Sequence, residues 1–144
     1  MGEVNLDQLC AQFGYQIADA VNEKFHKQAD TENLITKSLG ILQEDGVYAF
    51  FLYLASQIKP NDQGKNRSGA ARALANQAAD LLKHDWLELI QVSDSEDRYK
   101  EAMNTMRTEN GLTGNLGQLL FAKRLLEQAL IYARYHAKAL GDPS

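Results

Sequence analysis

Glu23-Lys24-Phe25-His26 sets a carboxylate and an imidazole at a metal-binding interval, and Glu-x-x-His occurs once in the chain. That spacing puts both side chains on one helix face. A di-iron bundle uses two such pairs with two further glutamates. His84 and His136 have no glutamate three residues before them, so the set is incomplete and His26 reads as a solvated helix-end side chain. Helical nucleases built on paired motifs need arginine, four to six residues, then histidine. Arg134 precedes His136 by two residues and Arg72 precedes His84 by twelve. Helical pyrophosphohydrolases cluster glutamates to hold Mg²⁺. Glu96, Asp97 and Glu101 come nearest, but Arg98 and Lys100 interleave with them, and intrahelical ion pairs explain the run. No serine and no cysteine has a patterned base nearby. Gly64-Lys65 lacks the upstream glycine and the following Ser or Thr of a P-loop. A helix-turn-helix built around Gly46 would offer Phe50, Phe51 and Leu52 to a groove that wants Arg, Gln or Asn. The expectation is a protein that is not an enzyme, with no catalytic residue, no metal and no cofactor.

Charge is the remaining chemistry. The net charge of −4 argues against a strong free-standing nucleic-acid binder. It is unevenly spread. Residues 1–33 hold six acids (Glu3, Asp7, Asp19, Glu23, Asp30, Glu32) against two lysines, and the rest is neutral. Two stretches within that rest are basic. One carries Lys59, Lys65, Arg67 and Arg72 against Asp62; the other carries Lys123, Arg124, Arg134 and Lys138 against Glu127. These eight cations are the candidate nucleic-acid contacts. The first four sit in or after a glycine-flanked loop able to follow a phosphate backbone. Residues 123, 127, 134 and 138 return to one helix face, where Glu127 pairs with Lys123 or Arg124. The competing reading is a solvated surface with no partner.

Six helices must position these groups. The first runs from about Leu6 to Gln28 behind Asn5, with Leu6, Leu9, Phe13, Ile17, Val21 and Phe25 on one face. The second runs from about Glu32 to Glu44 with Thr31 as N-cap, and Gly46 ends it with positive φ. The third, Val47–Ile58, is apolar nearly all round and belongs in the middle of a bundle or under a partner. Residues 59–69 form an exposed loop containing Pro60, Gly64 and Gly69. An alanine-rich fourth helix, Ala70–Lys83, follows, with Trp86 as an anchor near its end. Ser93 and Glu96 open a polar fifth helix that Gly111 and Gly114 break. The last, Asn115–Leu140, stops at Gly141. The fold class is all-α: a single antiparallel bundle of five or six helices, with Val47–Ile58 and the last helix at its centre.

At 144 residues, 44% hydrophobic and 24% charged, the chain is one domain with a real core. Cys10, the single cysteine, cannot form an internal disulfide and reads as a buried thiol. The start MGEVNLDQLC has neither a basic region nor an apolar one, so no signal peptide is expected. No apolar run approaches the ~20 residues that cross a bilayer. The expected location is cytoplasmic, with no membrane partner.

Two segments carry a resemblance. GVYAFFLYLASQIK, residues 46–59, resembles the Gly-Leu-x-x-x-Leu-Ala-Phe-Leu-x-Ser-Lys stretch of the α-helical small subunit of type III-B (Cmr) CRISPR effector complexes. LLEQALIYARYHAKAL is similar to that family's last helix. Tyr132 stands at its tryptophan, Arg134 at its lysine, and Ala137, Ala139 and Leu140 close the pattern. Tyr135 and His136 stand where that family has arginine and phenylalanine. The small subunits of type I-D and type III-A (Csm) complexes are similar too. The resemblance implies a non-catalytic subunit of an antiviral RNA-guided ribonucleoprotein. Its partners would be other effector subunits, copies of itself, crRNA and target nucleic acid. Such a subunit has apolar end surfaces for its neighbours and a modest basic face. The alternatives are a helical adaptor or scaffold that binds only protein, and, further off, a helical hydrolase.

Overall fold

The computed structural model describes residues 5–59, 66–83, 97–107 and 116–140. Among them stand six helices and no strand: α1 (Leu6–Phe25), α2 (Gln28–Asp45), α3 (Val47–Ser56), α4 (Asn66–Lys83), α5 (Arg98–Arg107) and α6 (Leu116–Leu140). The chain is an all-α bundle, as the periodicity predicts. None of these helices is long and apolar enough to cross a membrane.

The helix ends follow local chemistry. Asn5 Oδ1 accepts from the Gln8 backbone N–H at 2.9 Å and opens α1. α1 closes on His26, a non-glycine residue at φ 56 whose N–H donates to the Asn22 carbonyl at 2.7 Å. Gly46 ends α2 at φ 99 and ψ −176, a backbone nearly closed to residues with a Cβ. α2 starts earlier than expected. Thr31 is not its N-cap but a buried residue inside it. Its hydroxyl lies 2.9 Å from the Lys27 carbonyl and 3.0 Å from Asn22 Oδ1. With that hydroxyl satisfied inside the helix, nothing forces a helix start there.

α1 and α6 share the largest interface of the bundle. Leu9, Phe13, Ile17 and Val21 meet Leu126, Leu130, Ala133 and Ala137, all buried. The register shows both helices running the same way. Cys10 Sγ lies 3.6 Å from the Leu125 carbonyl, and the Tyr15 and His136 rings meet edge-on at 5.5 Å. α2 runs opposite to α6, since Lys123 reaches Gln43 and Lys138 reaches Glu32. At Gly14 the backbones of α1 and α6 come too near to admit a side chain. A Cβ built there would sit 2.6 Å from Tyr132 Cβ, 2.8 Å from the Ala129 oxygen and 3.0 Å from the Ala133 nitrogen.

The sequence expectation put the apolar third helix at the centre beside the last. α1 holds that place instead, and α3 lies mainly against α2 and α4. Phe50, Phe51 and Leu54 of α3 are fully buried, while Leu52 is 45% exposed. The reason is length. Ten residues reach about 15 Å, too short to line a helix of twenty-five.

α4 also starts earlier than expected, at Asn66. Ser68 and Gly69 are therefore buried helix residues rather than an exposed loop, and Ser68 Oγ accepts from the Lys59 N–H at 2.8 Å. That bond ties the chain after α3 onto α4. The alanine-rich α4 then carries a polar stripe, Arg72, Asn76 and Asp80, at intervals of four. The stripe fixes α5. Asn76 Oδ1 accepts from the Tyr99 N–H at 3.0 Å, and Asp80 takes Arg98 through both oxygens at 2.5 and 2.9 Å. Arg72 Nε approaches Asp97 Oδ1 at 3.2 Å. Trp86, the Ser93–Glu96 box, Gly111, Gly114, Asn115 and Gly141 lie outside the described residues.

Two stability predictions follow from this packing. Gly14→Ala gains about 1 kcal/mol in helix propensity but drives a methyl into the backbone of α6, where overpacking costs about 1–3 kcal/mol. The clash wins, and urea denaturation should show a lower midpoint. Asn76→Ala strands a buried N–H in the first turn of α5 and should cost about 1–2 kcal/mol. Amide exchange should speed up in α5 and stay slow where α1 meets α6.

Candidate functional site

The loop cations separate once folded. Lys59 is exposed, and Lys65 lies outside the described residues. Arg67, also exposed, donates from Nε to Gln57 Oε1 at 2.7 Å and from Nη2 to the Tyr53 hydroxyl at 2.8 Å. The Lys37 ammonium stands 5.8 Å from the centre of the Tyr53 ring. One α3 tyrosine thus gathers a cation from α2 and another from α4. Arg72 turns away from this pair and toward α5.

The α6 cations go elsewhere. Lys123 Nζ donates to the Gln43 carbonyl at 3.0 Å, in the last turn of α2, where a cation complements the helix dipole. It takes this partner in place of the expected Glu127. Lys138 approaches Glu32 at 3.7 Å. The Arg134 guanidinium lies 5.7 Å from the Tyr135 ring centre. Arg124 is exposed and borders a shallow pocket with Asp7, Cys10 and Phe121. Among the described contacts none links the α6 set to the loop set. The described partners of the α6 set come from α2 and α6 itself, those of the loop set from α3, from Gln57 just after it and from Asp97 just before α5.

What the bundle does bring together is a cavity of about 430 Å³ between α3, α4 and α5. Ala55, Ile58, Tyr99 and Met103 give it apolar walls, and Arg72, Lys100 and Arg107 give it charge. Asp97 sits beside it, 3.2 Å from Arg72 Nε and 3.6 Å from Lys100 Nζ. The Arg72 Nε and Asp97 Oδ1 atoms are buried, yet their approach is not aligned as a hydrogen bond. Arg107 Nη1 donates to the Tyr48 hydroxyl at 3.4 Å, a long contact with a neutral group. Sequence reasoning chose Arg72 and missed Lys100 and Arg107. It had assigned Lys100 to intrahelical pairing, which does occur with Asp97. The signal available was the spacing of Lys100, Met103 and Arg107, offsets of three and seven that share a helix face.

Two other groups could carry chemistry. Tyr132 donates its hydroxyl proton to Asp7 Oδ1 at 2.5 Å, and that hydrogen bond raises the phenol's pKa. Burial, with Asp7 adding to it, pushes the Cys10 thiol up to about 11. Among the described residues no three His, Cys, Asp or Glu side chains gather closely enough to hold a metal ion.

No protein-family model, no curated protein and no solved structure matches the chain.

The Cys10 environment makes a direct prediction. The neutral thiol is the buried form, so its contribution to stability is complete below the ordinary value of 9.0 and is lost as pH rises through about 11. A thiol reagent at pH 8 should label native protein slowly and urea-unfolded protein fully. Fast labelling of the native protein would contradict a buried Cys10.

Proposed function

We propose that the chain is a non-catalytic small subunit of an RNA-guided CRISPR effector complex in the cytoplasm. In this reading it contacts crRNA or target strand through backbone charge and stacks against other subunits, copies of itself among them. The observation that supports it is the set of cations on and around α3, α4 and α5: Lys37 and Arg67 on Tyr53, exposed Lys59 bonded through its N–H to Ser68, and Arg72, Lys100 and Arg107 at the cavity. Among the described residues the acids of the first third, Asp7, Asp19, Glu23, Asp30 and Glu32, belong to α1 and the start of α2. A protein of net charge −4 can thus present a locally basic face. The segments at 46–59 and 125–140 supply the choice of assembly. Lys123, Arg124, Arg134 and Lys138 would serve a second contact along α6, and Lys65 belongs with the loop set.

The protein-only adaptor is favoured by a different observation. Leu120 and Phe121 are 52% and 37% exposed at one end of α6, and Tyr135 and Leu140 are 60% and 49% exposed toward the other. These apolar groups lie up to about 30 Å apart along the helix. They suit protein neighbours at both ends, which stacking within an effector also requires.

Filter binding to single-stranded RNA and DNA across a salt series separates the two readings. For a backbone binder, log affinity falls linearly with log salt, by about 0.7 for each phosphate neutralised on a single strand. The Lys37→Ala, Arg67→Ala double variant should flatten that slope by about 1–2 and leave thermal stability nearly unchanged. Absence of binding at any salt, with no guide RNA co-purifying with the native chain, would put the adaptor first.

A further inference from the structure

We infer that the cavity between α3, α4 and α5 binds one nucleotide, its phosphate at Arg107, its base over Met103 and Ile58, and the base edge at Arg72. The site rests on the chemistry of its walls. Its volume of about 430 Å³ falls in the range of small-molecule sites, roughly 300–1,000 Å³. Among the described residues three cations line it and one carboxylate stands beside it, which leaves a charge of two for an anion.

The position of Asp97 orients the ligand. It lies within 4 Å of Arg72 and Lys100, which makes that end of the cavity nearly neutral. Arg107 is two helical turns further along α5, and its described partner is the neutral Tyr48 hydroxyl. A phosphate therefore goes to Arg107, whose planar guanidinium suits two phosphate oxygens. Met103 lies between the two ends on the same helix face, opposite Ile58 and Ala55, so the middle of the ligand must be flat and apolar. At the far end Arg72 lines the cavity with its side chain 35% exposed, so the outer part of its guanidinium can donate to the acceptor atoms of a base. Inorganic phosphate would use Arg107 alone.

A free mononucleotide and a nucleotide of a single strand share this chemistry, and the second source rests on the effector reading above. Calorimetric titration of the full chain with adenosine 5′-monophosphate, adenosine, inorganic phosphate and a ten-residue oligoadenylate distinguishes them. The mononucleotide should bind at least about tenfold more tightly than adenosine or phosphate. Arg107→Gln should weaken it about tenfold, and Met103→Glu, which places a charge under the base, should weaken it further. Circular dichroism checks that both variants fold. If only the oligonucleotide binds and Arg107→Gln still weakens it tenfold, the site takes its nucleotide from a strand. If the wild type binds mononucleotide but no oligonucleotide, the cavity stands and the effector reading fails. If oligonucleotide binding falls on Lys37→Ala, Arg67→Ala but is untouched by Arg107→Gln and Met103→Glu, the cavity proposal is overturned and the effector reading stands. Inorganic phosphate binding as tightly as the mononucleotide would also overturn it.

Discussion

The close approach of α1 to α6 at Gly14 is the constraint on which the rest of the bundle depends. Glycine inside a helix is unfavourable by about 1 kcal/mol, and it stands here because α6 leaves no room for a Cβ. Ala18 on α1 and Ala129 and Ala133 on α6 are buried and small. With backbones this near, Leu9, Phe13, Ile17 and Val21 reach the opposing stripe of α6 and are excluded from water. Each large side chain so buried contributes about 1.5–3 kcal/mol. α2 then closes against the pair, and α4 covers the remaining side of α1.

α4 does two jobs at once. Its alanines are buried at Ala70, Ala71, Ala75, Ala78 and Ala79, which lets it sit close to its neighbours. Its polar stripe faces α5, whose ten residues would be marginal as an isolated helix. Hydrogen bonds from Asn76 and Asp80, together with buried Tyr99, Ala102, Met103 and Met106, hold α5 in place. The same arrangement sets Lys100 and Arg107 in the walls of the cavity that Arg72 also lines. Fold and candidate site therefore share residues, and a change in the stripe acts on both.

Charge is organised more locally than the linear pattern indicates. The cations of α6 are occupied with a helix end, a carboxylate and a ring, contacts that complete the α1–α2–α6 side. On the α3 side, Tyr53 and Tyr48 collect Lys37, Arg67 and Arg107 from three different helices. Among the described contacts these three cations meet a tyrosine ring face or hydroxyl rather than a carboxylate.

Helix existence was legible from periodicity, because an apolar residue every three or four positions has no other way to reach a core. The start of α1, the turn at Gly46 and the burial of Cys10 could be read from local residues alone. The start of α2 could not, because Thr31 is satisfied by Asn22, a partner on another helix. Nor could the start of α4, where Ser68 answers to Lys59 across a chain reversal. The missing catalytic motifs, the acidic first third and the helical fold class belong to the sequence itself, since residue type and spacing are sufficient for them. Which helix is central, which cations stand together and where a cavity opens were decided by tertiary structure. Those properties depend on helix length, on the fit at Gly14 and on side chains that meet only after α4 and α5 have docked.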